Sequence, residues 1–114
     1  MKDRKIYILT IRDCIERIKE YTTGYDQNTF LKDHKTQDAV IRNIEVIGQA
    51  VKDFGVEDLM NDYPEVPWHQ VAGMRNIIAH EYLGLDMIIT WEVIDMHLHL
   101  LEDAVKNILS TMQV

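Results

Sequence analysis

The sequence predicts an all-α fold, an antiparallel bundle of four to five helices. Three observations carry that prediction. Every long segment repeats its apolar residues at about 100° per residue, the helical period. No stretch alternates with the period of two that a half-buried strand requires. Pro64 and Pro67 fall together in one connection, leaving the periodic segments unbroken.

In the first segment Tyr7, Ile8, Ile11, Cys14, Ile15, Ile18 and Tyr21 fall in one arc, opposite Arg12, Asp13, Glu16, Arg17, Lys19 and Glu20. "TTGYD" ends it, with Gly24 available beyond the C-cap. A short turn or helix near "NTFLKD" leads into a second long helix over about 36–54. Its core stripe is Val40, Ile44, Ile47, Gly48, Val51 and Phe54. A mid-helix glycine costs about 1 kcal/mol against alanine, so Gly48 predicts a close backbone approach. Ala39, Val46 and Ala50 form a weaker stripe of small residues that points toward a possible second subunit. "GVEDLMNDYPEVP" reads as a connection with one helical turn at "EDLM", and Pro67 fits the first turn of the next helix. This third helix carries "WHQVAGMRNIIAHEY" and frays near "LGLD", and Asp86 is the expected N-cap of a fourth helix running to about Thr111. That helix is apolar around much of its circumference. Ile89, Val93, Met96 and Leu100 form one stripe; Ile94, Leu98, Leu101, Val105 and Ile108 form another. Two explanations stay open, a central place in the bundle or a homodimer seam.

With 114 residues the chain suits one domain, residues 1–114, and buries a modest core. No apolar span is long enough to cross a bilayer, and charges interrupt the short apolar run near the start, so a cytoplasmic protein without membrane contact is expected. The lone cysteine, Cys14, cannot form an internal disulfide and sits at a core position. The net charge of −7 repels polyanions on average, so any nucleic-acid role needs a local positive site or a basic partner.

One stretch concentrates chemically able groups: "RNIIAHEY", with Arg75, Asn76, His80, Glu81 and Tyr82 around a small apolar run. On a helix Asn76 and His80, four apart, share a face. Arg75 and His80 are about 140° apart around such a helix and about 7.5 Å along it, so they converge only on an extended ligand or through a second copy. Histidine moves protons near neutral pH, and the arginine fork matches a phosphate or the charge developing on it. An RNA 2′-hydroxyl is a built-in nucleophile, so these groups suffice for cleavage without a metal. A structural account also fits: a histidine favoured by the helix dipole, an arginine in a salt bridge and a tyrosine capping the core.

"MRNIIAHEY" resembles the R-x4-H-x-Y motif of the HEPN superfamily, specifically the HepT toxins of HepT–MntA toxin–antitoxin pairs. "IRNIEVIGQAVKDF", "VPWHQVAGMRN", "HEYLGLDMIITWEVI" and the terminal helix are similar to that family's segments in order, so the resemblance covers nearly the whole chain. Gln49 departs from it, standing where the family often has glutamate. The resemblance implies a homodimeric HEPN bundle and a metal-independent endoribonuclease acting on tRNA or mRNA. Arg75 and His80 match its catalytic pair, and Asn76 matches the polar residue that positions His80 or the substrate. Tyr82 matches the tyrosine to which an MNT-type nucleotidyltransferase, the antitoxin, attaches AMP. A catalytically silent HEPN module that binds a nucleotide or tethers a nucleotidyltransferase is the alternative; a purely structural bundle is a third.

Other candidates carry less. His97 and His99 point to different sides of a helix, and His34 and His69 have no ligand neighbours at recognisable spacing, so neither metal nor cofactor is expected. Trp68 and Trp91 sit where apolar stripes need bulk, which predicts core anchors.

Overall fold

The computed structural model describes residues 3–80 and 84–112. Three helices form its frame: α1 (Lys5–Tyr21), α3 (His34–Phe54) and α8 (Leu98–Met112). Short helices fill the corners: α2 (Gln27–Leu31), α4 (Val56–Asp62), α5 (Trp68–Ala72), α6 (Met74–Ile78) and α7 (Met87–Glu92). The predicted all-α bundle is the observed one. Its frame is antiparallel by its own side-chain ties. Arg4, just before α1, donates to the Phe54 carbonyl at the end of α3 (3.1 Å) and pairs with Asp58 of α4 (3.0 Å). Near the other end of α1, Lys19 pairs with Glu102 in the first turns of α8 at 2.9 Å.

The core is the apolar stripe of each frame helix turned inward: Ile8, Ile11, Ile15 and Ile18 of α1 against Val40, Ile44, Ile47 and Val51 of α3, closed by Leu101, Val105 and Ile108 of α8. Cys14 is buried among them as predicted, and burial pushes its thiol pKa up despite the nearby Arg17 cation, which keeps it unreactive. Trp68 is fully buried, with its indole N–H donating to the Tyr63 carbonyl (2.9 Å). Trp91 is half-buried, its ring 5.4 Å from that of Phe30. Helix ends follow local chemistry. Asp26 and Asp33 cap α2 and α3, accepting from the amides of Thr29 and Thr36. Gly24 (φ +77°) and Gly55 (φ +116°) supply the left-handed backbone that turns the chain out of α1 and out of α3.

Two expectations are corrected. The stretch 68–82 is not one helix: it breaks at Gly73 into α5 and α6 and ends at Ile78. Ala79–His80 (β1) then pairs antiparallel with Gly84–Leu85 (β2), Ala79 opposite Leu85 and His80 opposite Gly84. The Asp86 amide closes it by donating to the Ile78 carbonyl. The break at Gly73 adjoins the close approach predicted for Gly48. A Cβ on Gly48 would lie 2.9 Å from the Ala72 carbonyl oxygen, so only glycine lets α5 reach α3 this closely.

The fourth predicted helix contains a π-helical turn, Val93–His97, between α7 and α8. Its wider hydrogen-bond spacing advances the register by one residue, about 100° around the axis. The stripe Ile89, Val93, Met96 and Leu100 therefore divides: the first two are half-buried, while Met96 (57%) and Leu100 (56%) face out. Central placement does not account for that stripe. Of the proposed small-residue stripe on α3, Ala50 is buried within the chain and Ala39 and Val46 are half-buried. No helix among the described residues is long and apolar enough to cross a membrane.

Candidate functional site

Arg75 and Asn76 stand on α6, held by the geometry that breaks the predicted helix. α5 ends at Gly73, beside its contact with Gly48, and α6 starts afresh, with the Asn76 amide donating to the Gly73 carbonyl at 2.9 Å. Both side chains are exposed. They border a polar groove of about 630 Å³ that α1 lines with Tyr7 and Thr10 and α3 with Arg42, Glu45, Gln49 and Lys52. That volume lies in the range of small-ligand sites, about 300–1,000 Å³.

The Arg75 guanidinium meets one carboxylate. Its Nε pairs with Glu45 Oε2 at 3.2 Å across the α3–α6 seam. An arginine held through Nε keeps its two terminal nitrogens as a fork for an incoming oxyanion. Both partners are about half exposed, so the pair adds little to stability and its effect is to aim the charge. Sequence reasoning missed Glu45. The available signal was its place on α3: Arg42, Glu45, Gln49 and Lys52, spaced three, four and three, share one polar face opposite the core stripe.

His80 lies elsewhere than expected. It is two residues past the end of α6, on β1 opposite Gly84, so it neither shares a helical face with Asn76 nor profits from a helix dipole. For His80 the description covers the backbone alone, and Tyr82 and Glu81 lie outside the described residues. Asp86 anchors the chain just after β2. Its carboxylate accepts from the amides of Ile88 (2.9 Å) and Ile89 (3.1 Å), the N-cap predicted for the last helix. Arg75 and Asn76 are thus brought together on one rim, with His80 carried on the adjoining hairpin.

The remaining histidines are surface groups. His69 is 62% exposed in its side chain and meets Glu57 at 3.1 Å, as a surface histidine would, and His34, His97 and His99 are also exposed. Among the described residues no three potential metal ligands gather. On the other side of α5 and α6 a second hollow, about 320 Å³, is chiefly apolar; Val66, Val71, Met74, Val93 and Leu98 line it, and Leu100 opens it to the surface.

Comparison with known proteins gives a consistent result. The model of the family described as "Ribonuclease HepT-like" matches residues 11–108. A protein of Caldanaerobacter subterraneus subsp. tengcongensis named "Putative RNase" is 37% identical over 109 residues, covering 96% of each chain. A "Probable ribonuclease HepT" of Thermococcus cleftensis is 39% identical over 93 residues, 82% of this chain and 84% of that one. A Methanocaldococcus jannaschii protein named "Gamma-glutamylcyclotransferase and putative RNase" is 39% identical over 108 residues; these are 95% of this chain, which spans about half (48%) of that relative. No solved structure matches.

Proposed function

Because the chain belongs to the ribonuclease HepT-like family, we propose that it is a metal-independent endoribonuclease, the toxin of a toxin–antitoxin pair, acting on tRNA or mRNA. The observation that carries this reading is the exposed Arg75 guanidinium, aimed by Glu45 at the rim of a polar groove that Asn76 also borders. His80 takes the proton from a ribose 2′-hydroxyl as the new O2′–P bond forms, and the P–O5′ bond breaks. The leaving oxygen is protonated in turn, by the same imidazole or by its counterpart in a second protomer. Arg75 stabilises the extra negative charge on the phosphorane-like transition state, and Asn76 holds a phosphate oxygen or hydroxyl in place.

A homodimer supplies the second motif at a shared cleft. Support for it comes from the exposed apolar side chains Met96 and Leu100, the latter on the lip of a chiefly apolar hollow. Tyr82, two residues beyond His80, receives AMP from an MNT-type nucleotidyltransferase antitoxin. The added bulk and negative charge repel an RNA phosphate from the cleft.

Incubating unmodified protein with total RNA in EDTA tests the reading. Parent protein cleaves; His80→Ala loses about 10²–10⁴-fold and Arg75→Ala about 10²–10³-fold. No cleavage of tRNA or mRNA by folded, unmodified parent would leave instead a catalytically silent module that binds a nucleotide or tethers a nucleotidyltransferase.

A further inference from the structure

The polar groove continues past the candidate site. Arg42 and Lys52 are ten residues apart on α3, about 15 Å along its axis, a spacing suited to separate phosphates of one strand. Glu45, which orients Arg75, lies between them, about 4.5 Å along the axis from Arg42 and about 10.5 Å from Lys52. Arg42 also lines a neighbouring hollow of about 500 Å³ between α1 and α3, shared with Asp13, Cys14 and Arg17. The cations therefore run along one continuous surface with Arg75 in its middle part.

Charge pairing along this surface is uneven. Its carboxylates are engaged: Glu45 with Arg75, Asp13 with Arg12 at 3.1 Å, and Asp53 as acceptor from the Gln49 amide at 3.0 Å. Among the described residues neither Arg42 nor Lys52 has an ion-pair partner, and both are exposed. Three cations against two carboxylates line the groove, in a chain whose net charge is −7. The sequence demands a local positive site if this acidic chain is to hold a polyanion, and this groove meets that demand.

We propose that Arg42 and Lys52 are RNA-positioning residues, gripping phosphates on either side of the scissile one so that a single strand lies along α3 with its reacting phosphate at Arg75. The identity of the polymer rests on the ribonuclease reading. The spacing of the cations does not. A single strand fits better than a duplex because the backbone must turn to bring a 2′-hydroxyl in line with its phosphate.

The test measures binding of a labelled single-stranded RNA to His80→Ala protein over a series of salt concentrations, with and without Arg42→Ala and Lys52→Ala. Each substitution lowers the slope of log affinity against log salt by about 0.7, the value for one phosphate contact on a single strand, and the pair lowers it by about twice that. In the His80→Ala background Arg42→Lys retains the slope measured without a change at Arg42. With His80 restored, cleavage of the long strand shows a raised KM at unchanged kcat, whereas cleavage of a dinucleotide, which has no flanking phosphates, is unaffected. Unchanged slopes in folded variants overturn the proposal, as does tighter binding of a duplex than of the strand. If the parent fails to cleave yet the slopes fall, the RNA track stands and the ribonuclease reading fails; cleavage with unchanged slopes has the opposite meaning.

Discussion

The frame of α1, α3 and α8 and the segment from Trp68 to Asp86 solve the same folding problem by different means. The frame helices are 17, 21 and 15 residues long, each holding its place by a buried stripe along its own length. The motif segment is two five-residue helices and a two-residue ladder, all too short to be stable alone. It is held at points: the Trp68 ring in the core, the Ala72 carbonyl against Gly48, buried Met74 and Ile78, and the Asp86 cap. Point attachment leaves Arg75 exposed on α6, with no continuous helix carrying the chain on to His80. The lesson is that the candidate site depends on the frame for position, while the frame depends little on the site.

Trp68→Ala breaks this comparison most severely. It removes the largest anchor of the motif segment and leaves the Tyr63 carbonyl without its donor, so stability falls by about 3–5 kcal/mol in urea denaturation. The same loss from an exposed frame position, such as Arg12→Ala, would show that the segment holds no special anchor. Gly48→Ala has a smaller effect. Helix propensity gains about 1 kcal/mol, and pushing the Ala72 carbonyl back costs about 1–3 kcal/mol, for a net loss of about 1 kcal/mol. RNA cleavage should drop further than that loss explains, because the backbone displaced leads directly to Arg75. Cleavage at the parent rate in a fully folded Gly48→Ala protein would detach the site from this contact.

The frame was legible because its information is periodic and local. Apolar residues repeat at the helical period over many turns, and Asp86 announces its helix by side-chain chemistry alone. Gly48 was legible too, since a glycine inside a helical stripe implies a close neighbour, though the sequence does not say that the neighbour is Ala72. The breaks in the motif segment were not legible. "WHQVAGMRNIIAHEY" is periodic enough for one helix, and a single glycine inside a helical pattern, Gly73, does not by itself announce a break. The π-helical turn at Val93–His97 is similar: the apolar residues around that helix satisfy more than one register, so pattern alone could not choose. Glu45 was visible as part of a polar face but not as the partner of Arg75, because that pairing spans 30 positions of chain and exists only after α6 has left the predicted axis. Arg75 and Asn76 stood out as chemistry; their shared groove did not.

Acid sharpens the comparison at its smallest scale, inside the frame. Asp33 caps α3 and accepts hydrogen bonds from the Tyr25 and Thr36 hydroxyls and the Thr36 amide, with Tyr25 the largest influence, and together these lower its pKa from 3.8 to about 2. A carboxylate with a depressed folded-state pKa contributes stability that is present above its unfolded value and lost as pH falls through the folded one. The corner joining α2 to α3 therefore weakens between about pH 4 and about pH 2. In Asp33→Asn the side chain still caps but carries no proton-linked charge, so that protein lacks this part of the acid slope. Denaturation of both proteins across the interval, with amide exchange read in the first turn of α3, isolates the effect. Parallel acid slopes in the two would mean that the hydroxyl and amide donors around Asp33 do not favour its charged form. A steeper slope in the parent, confined to that turn, would show that even the continuous helices of the frame are fixed at their ends by single side chains, as the motif segment is along its whole length.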